Sequence, residues 1–106
     1  MSTKEITSNE IFEEVTREGV SLIDFNAPWC GPCNSQKPII DNLANRLKDR
    51  AVIGEIDIDN QRELALGLGI RSIPTLIIYK SGKELQRFVG LQSEDELSSA
   101  LEKALQ

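Results

Sequence analysis

Residues 29–33 read WCGPC and hold both cysteines of a 106-residue chain. On their N-terminal side lies VSLIDFNA (20–27), apolar enough for a strand buried on both faces, with Asp24 the anomaly inside it. On the C-terminal side, Ile39, Ile40, Leu43, Ala44 and Leu47 recur at helical spacing, which predicts a helix from Cys33 to about Lys48, kinked at Pro38. The cysteines therefore fall where a buried strand turns into a helix. Unpaired N–H groups and the positive end of the helix dipole favour an anion there, so a thiolate at Cys30 is stabilised. Cys33 lies one turn on, within reach of the first sulfur with little backbone movement. Pro32 is tolerated in a first turn and limits how far the sulfurs can part. Gly31 leaves room for another backbone to come close.

Three chemistries compete for such a pair. A structural staple closing so short a loop contributes only about 2 kcal/mol, which a chain of this length does not need. A zinc site wants four ligands, and with no further cysteine and no histidine it would take two chains sharing two cysteines each. A reversible dithiol fits both the spacing and the helix start, and C-x-x-C beside a βαβ pattern reads most directly as redox.

The remaining segments extend the alternation. Thr7 and Glu10 have capping-box spacing before the apolar stripe Ile11, Phe12 and Val15, which predicts a first helix over roughly 8–18 ended by Gly19. AVIGEIDID (51–59) reads as a strand and RELALGL (62–68) as a short helix. TLIIYK (75–80) and KELQRFV (83–89) form a hairpin around Ser81 and Gly82. SEDELSSALEKALQ (93–106) opens on a Ser93/Glu96 capping box and carries Leu97, Ala100, Leu101 and Ala104 or Leu105 on one face. The order is β-α-β-α-β-α-β-β-α, with no bounds assigned to the first strand. Apolar central strands need helices on both faces, so an α/β, three-layer α/β/α sandwich around a mixed sheet is expected, as one domain over 1–106.

A formal charge of -5 with acids and bases interleaved argues against a surface that gathers phosphates, hence against nucleic acid as a partner. The opening MSTKEIT lacks the pattern of a secretory signal, and no apolar run approaches a membrane span, so a cytoplasmic location and no membrane partner are expected.

The whole chain resembles the thioredoxin family. WCGPC matches that family's active-site motif, Asp24 its buried aspartate, and Pro38 the proline in its active-site helix. GIRSIPT (69–75) resembles the segment with the family's cis-proline, here Pro74, and Val89-Gly90 the loop beside the active site. The resemblance implies the thioredoxin fold, with a five-stranded sheet and four helices, and protein-disulfide reduction without a cofactor by a monomer. Cys30 attacks a client disulfide, Cys33 resolves the mixed disulfide, and Asp24 is the base that takes the Cys33 proton. A cis bond before Pro74 frees the Ile73 backbone to pair with a client strand. Trp29, Ile58, Ile73 and Val89, with Gly90, form the apolar docking face, although Trp29 and Ile58 also suit a core position. The simpler alternatives place Asp24 at a solvated strand end and make Pro74 an ordinary loop proline. The implied partners are client proteins and a thioredoxin reductase, flavin-dependent or ferredoxin-linked. Gly31-Pro32 between the cysteines, where oxidase and isomerase relatives usually have His, favours a reductant. The rival class is a binding module that uses the same face without turnover.

Three positions depart from the family pattern. Asn26 stands where an aromatic residue is common, removing packing beside the site. Asn34 stands where Lys is frequent, so one positive charge is missing near the thiolate. Glu55 occupies a strand position where many relatives carry a lysine paired with the buried aspartate. If Glu55 points inward rather than into solvent, two carboxylates share a pocket without a cation, and at least one pKa rises.

Overall fold

The computed structural model describes residues 3–106. The elements are β1 (Lys4–Glu5), α1 (Asn9–Arg17), β2 (Val20–Asn26), α2 (Gly31–Leu47), β3 (Ala51–Asp57), α3 (Arg62–Gly67), β4 (Thr75–Lys80), β5 (Lys83–Val89) and α4 (Glu94–Ala104). The strands form one sheet in the order β1-β3-β2-β4-β5. Parallel pairs join β1 to β3 and β3 to β2, while β2–β4 and β4–β5 are antiparallel, so the sheet is mixed as expected.

Alternation along each strand divides the core in two. Val20 and Leu22 of β2, Ile53 of β3, and Leu76 and Ile78 of β4 pack with Ile40, Leu43 and Leu47 of α2 and Leu97 and Leu101 of α4. The intervening residues, Ile23, Phe25, Ile56, Ile77 and Tyr79, face Phe12 and Val15 of α1 and Ala65 of α3. Residues of β2 thus bury both faces, which is why that stretch reads as an unbroken apolar run. Truncating a fully buried member such as Leu43 to Ala costs roughly 2–5 kcal/mol.

Several element ends depart from the sequence reading, β3 among them, which ends at Asp57 and leaves Ile58 beyond the strand. The first helix is capped by Ser8, whose Oγ accepts from the Ile11 N–H at 3.1 Å, rather than by Thr7. The terminal helix ends at Ala104, with Ser93 outside it as the cap accepting from the Glu96 N–H at 3.1 Å. The second helix starts at Gly31, two residues ahead of the expected Cys33, which makes Cys30 its N-cap. The hairpin turns at Ser81 (φ 53°) and Gly82 (φ 85°), where positive φ at both central residues matches the twist of the flanking strands.

Candidate active site

Cys30 ends the short link from β2 and closes the first turn of α2. Its N–H donates to the Ala27 carbonyl at 3.2 Å, and its own carbonyl accepts the first helical hydrogen bond, from Asn34 N–H at 3.1 Å. Its side chain does what Ser or Asp does at other helix starts: Sγ accepts from the Cys33 N–H at 3.2 Å. A sulfur held this way at a positive helix end favours its anionic form once reduced. Here the two cysteines are joined as a disulfide, with Cα atoms 5.2 Å apart.

Both cysteines are buried in this oxidised form, Cys30 at 6% and Cys33 at 3% exposed, so exposure hardly distinguishes them. Ala27, Ile58 and Ile73 pack around both sulfurs, and what separates the two residues is the cap hydrogen bond. Gly31 and Pro32 are exposed, and a side chain at Gly31 would meet nothing within 4 Å, so the room there is open toward solvent.

Several of the residues expected to meet clients converge on this turn. Cys30 Sγ lies 3.8 Å from the Ile73 carbonyl oxygen, and the Ile73–Pro74 bond is cis. Pro74 is buried, and its carbonyl accepts from the Gly90 N–H at 2.8 Å. Gly90 has φ 93°, a conformation that a side chain disfavours. Ile58 and Ile73 are half-buried against the cysteine pair, so Ile58 serves core and rim together. Trp29 is exposed rather than core, and its indole N–H donates to Asp59 Oδ2 at 2.8 Å. Val89 is exposed as well, and so is Leu91 just beyond it, a residue that no motif singles out.

Under α2 lies a polar cluster. Asp24 is registered against Glu55 across β2 and β3, and it is buried rather than at a solvated strand end. Glu55 turns inward to the cluster, and one amide joins the carboxylates: Asn26 Nδ2 donates to Asp24 Oδ2 at 3.3 Å and to Glu55 Oε1 at 3.2 Å. Desolvation, offset in part by the Asn26 hydrogen bond and reinforced by the charge of Glu55, pushes the Asp24 pKa from 3.8 up to about 7.

The expectation of a carboxylate pair without a cation is corrected here. Lys37, from the turn of α2 that follows Cys33, places Nζ 3.0 Å from Glu55 Oε2 and 3.3 Å from Asp41 Oδ1. Burial lowers the Lys37 pKa, but its bond to Glu55 and the charges of Glu55 and Asp41 outweigh that and raise it. The positive charge thus comes from the helix, across from the strand position that carries the lysine in the family pattern. A helical period alone does not tell which residue of α2 hangs over β3.

Two further features escape the sequence reading. Gln36 is fully buried, donates from Nε2 to the Gln92 carbonyl at 3.0 Å and accepts from the Gln92 N–H at 2.8 Å, so its amide mimics a strand partner for the link after Gly90. A signal for it exists: Gln36 shares one helix face with Ile40, Leu43 and Leu47, and it is the polar residue in that stripe. Beside Cys33 opens a cleft of about 270 Å³ whose walls include Asn26, Asn34, Lys37, Glu55 and Asp57. Asn26, at a position where the family pattern favours an aromatic side chain, forms part of its wall.

Comparison with known proteins agrees with this geometry. The sequence profile of the thioredoxin family matches residues 2–103. Thioredoxin of Chlamydia pneumoniae is 42% identical over 98 residues, spanning 92% of this chain and 95% of that one. Thioredoxin of Bacillus subtilis is 38% identical over 98 residues, spanning 92% and 94%. Among solved structures, a mutant thioredoxin from Halobacterium salinarum superposes with a TM-score of 0.93 at 33% identity, covering 99% of this chain and 92% of that one. Thioredoxin of Malassezia sympodialis gives 0.88 at 31% identity, with the same coverage.

Proposed function

The chain belongs to the thioredoxin family, and on that premise we propose how its residues carry out protein-disulfide reduction. The reaction is thiol–disulfide exchange. In the dithiol form, the Cys30 thiolate attacks one sulfur of a client disulfide, a Cys30–client bond forms, and the first client thiolate leaves. Cys33 then gives its proton to Asp24 and attacks Cys30 Sγ; the mixed disulfide breaks, the second client thiolate leaves, and Cys30–Cys33 is left oxidised. The client gains two electrons and the dithiol loses two. The observation that carries this division of labour is the hydrogen bond from Cys33 N–H to Cys30 Sγ, which favours negative charge on Cys30 alone.

Clients dock on the apolar rim of Trp29, Ile58, Ile73 and Val89, and an extended client segment pairs with the Ile73 backbone beside Pro74 and Gly90. Support comes from the clustering of Ile58 and Ile73 on the cysteines and from the exposure of Trp29 and Val89. One domain carries the whole cycle. Electrons return from a reductase, flavin-dependent or ferredoxin-linked, in a reducing cytoplasm where two closely spaced cysteines work as a reagent. Among the described residues no helix is long and apolar enough to cross a membrane.

Insulin reduction by the dithiol form, set against a Cys30→Ser variant, tests the reading. Turnover that Cys30→Ser abolishes is expected; no turnover above background in the parent protein would leave only a binding module. Offering the oxidised protein to each reductase class and following thiol appearance identifies the donor.

A further inference from the structure

One primary amide stands between two carboxylates in this chain. The Asn26 amide nitrogen lies 3.3 Å from Asp24 Oδ2 and 3.2 Å from Glu55 Oε1, so its two hydrogens are divided between them. The other oxygen of Asp24, Oδ1, is buried and has no hydrogen-bond partner. The groups facing Asp24 are Asn26 on its own strand, Glu55 from β3, and Lys37 and Asp41 from α2; its neighbour on β4 is the apolar Leu76. Lys37 is engaged by Glu55 and Asp41, so the side-chain donor on Asp24 is the Asn26 amide. Asn26 also lines the cleft beside Cys33, whose walls do not include Asp24, and thus stands at the edge of the buried carboxyl.

We propose that Asn26 is a positioning residue for the resolving step: by holding Oδ2 of Asp24 as an acceptor, it leaves Oδ1 as the oxygen that takes the Cys33 proton. The physical reason is the basicity of the two carboxyl oxygens. An oxygen that already accepts from an amide N–H is the poorer place for a proton, because that bond stabilises the negative charge on it and lowers its basicity relative to the unpartnered oxygen. In resolution the Cys33 S–H proton moves to Oδ1, the sulfur attacks Cys30 Sγ, the S–S bond between Cys30 and the client breaks, and the departing client thiolate takes up a proton. The same hydrogen bond favours the ionised carboxyl and so offsets part of its burial. This inference rests on the reading of Asp24 as the base.

Stopped-flow reaction of the dithiol protein with a chromogenic aryl disulfide separates the two steps, since one aryl thiolate is released on attack and the second on resolution. Asn26→Leu removes the amide at similar volume. The Asp24 midpoint, followed by carboxyl NMR, is expected to move up by about one pH unit, and the pH profile of the second release should move with it. The first release, measured in a Cys33→Ser background, should not change. An unmoved midpoint and profile overturn the role of Asn26. If Asn26→Leu does not fold, Asn26→Ala is read in the same way. Asp24→Asn distinguishes the base from the residue that positions it. Loss of the pH inflection in Asp24→Asn with no movement in the Asn26 variants sinks the Asn26 proposal alone, whereas an inflection that survives Asp24→Asn removes the base and the proposal together.

Discussion

The Cys33 N–H points at Cys30 Sγ from 3.2 Å, and no equivalent bond holds the Cys33 sulfur among the described residues. In the reduced protein that asymmetry should favour the thiolate at Cys30 over Cys33. Alkylation at neutral pH should modify Cys30 well before Cys33, and Cys33→Ser should accumulate mixed disulfides with clients through Cys30. Mass spectrometry of the alkylated peptide decides; faster labelling of Cys33 would reverse the roles.

Asp24 gives folding a particular pH dependence. Its folded pKa, about 7, lies above the ordinary value of 3.8, so between these pH values the folded state binds more protons than the unfolded one. Stability should therefore fall as pH rises from about 4 to about 7 and level off above, by an amount on the order of 4 kcal/mol. Asp24→Asn should flatten this slope and be more stable than the parent at pH 8, while resolution slows roughly 100-fold. Denaturant midpoints across pH check the first part and single-turnover rates the second.

Glu55 raises the Asp24 pKa through its charge and occupies Lys37 at 3.0 Å. Glu55→Gln removes a like charge and leaves Asp41 as the charged partner of Lys37, and both changes favour ionised Asp24. The Asp24 midpoint should fall in a carboxyl NMR titration. Glu55→Lys is the poorer probe, because it sets a second ammonium beside Lys37. A midpoint that stays put on Glu55→Gln would mean the two carboxyls do not interact.

Gln36 satisfies both backbone groups of Gln92, so Gln36→Leu leaves a donor and an acceptor without partners. A loss of roughly 2 kcal/mol of stability is expected. The link from Gly90 to Ser93 should also lose amide-exchange protection. Unchanged exchange at Gln92 would show that water replaces the clamp at no cost.

Val89 is 61% exposed at the end of an edge strand, so a charge there disturbs no core. Val89→Glu should raise KM for protein disulfides several-fold and leave reaction with small aryl disulfides unchanged, since only large clients cover the rim. Equal effects on both substrates would place Val89 outside the docking face.

The alternation of strands and helices was legible because periods of 2 and 3.6 are written in the order of apolar residues, and all eight elements with sequence-assigned bounds appear in the structure. The cysteine pair at a strand-to-helix turn was legible for the same reason. Helix ends were less so: Ser8 rather than Thr7 caps α1, because two adjacent hydroxyl residues offer the same chemistry and only the backbone angle selects one.

Sequence by itself determined that Cys30 and Cys33 are paired reagents in an α/β domain, since spacing, a helix start and the lack of any further cysteine or any histidine leave little else for them to do. Only the tertiary structure decided what surrounds Asp24. The register of β2 on β3 sets Asp24 against Glu55, and the rotation of α2 about its axis brings Lys37 over that pair. Neither quantity is encoded in a local period. Both follow from how side chains on three elements pack at once, and so an amide at position 26 that looked like a missing aromatic proves to be the bond between two carboxylates.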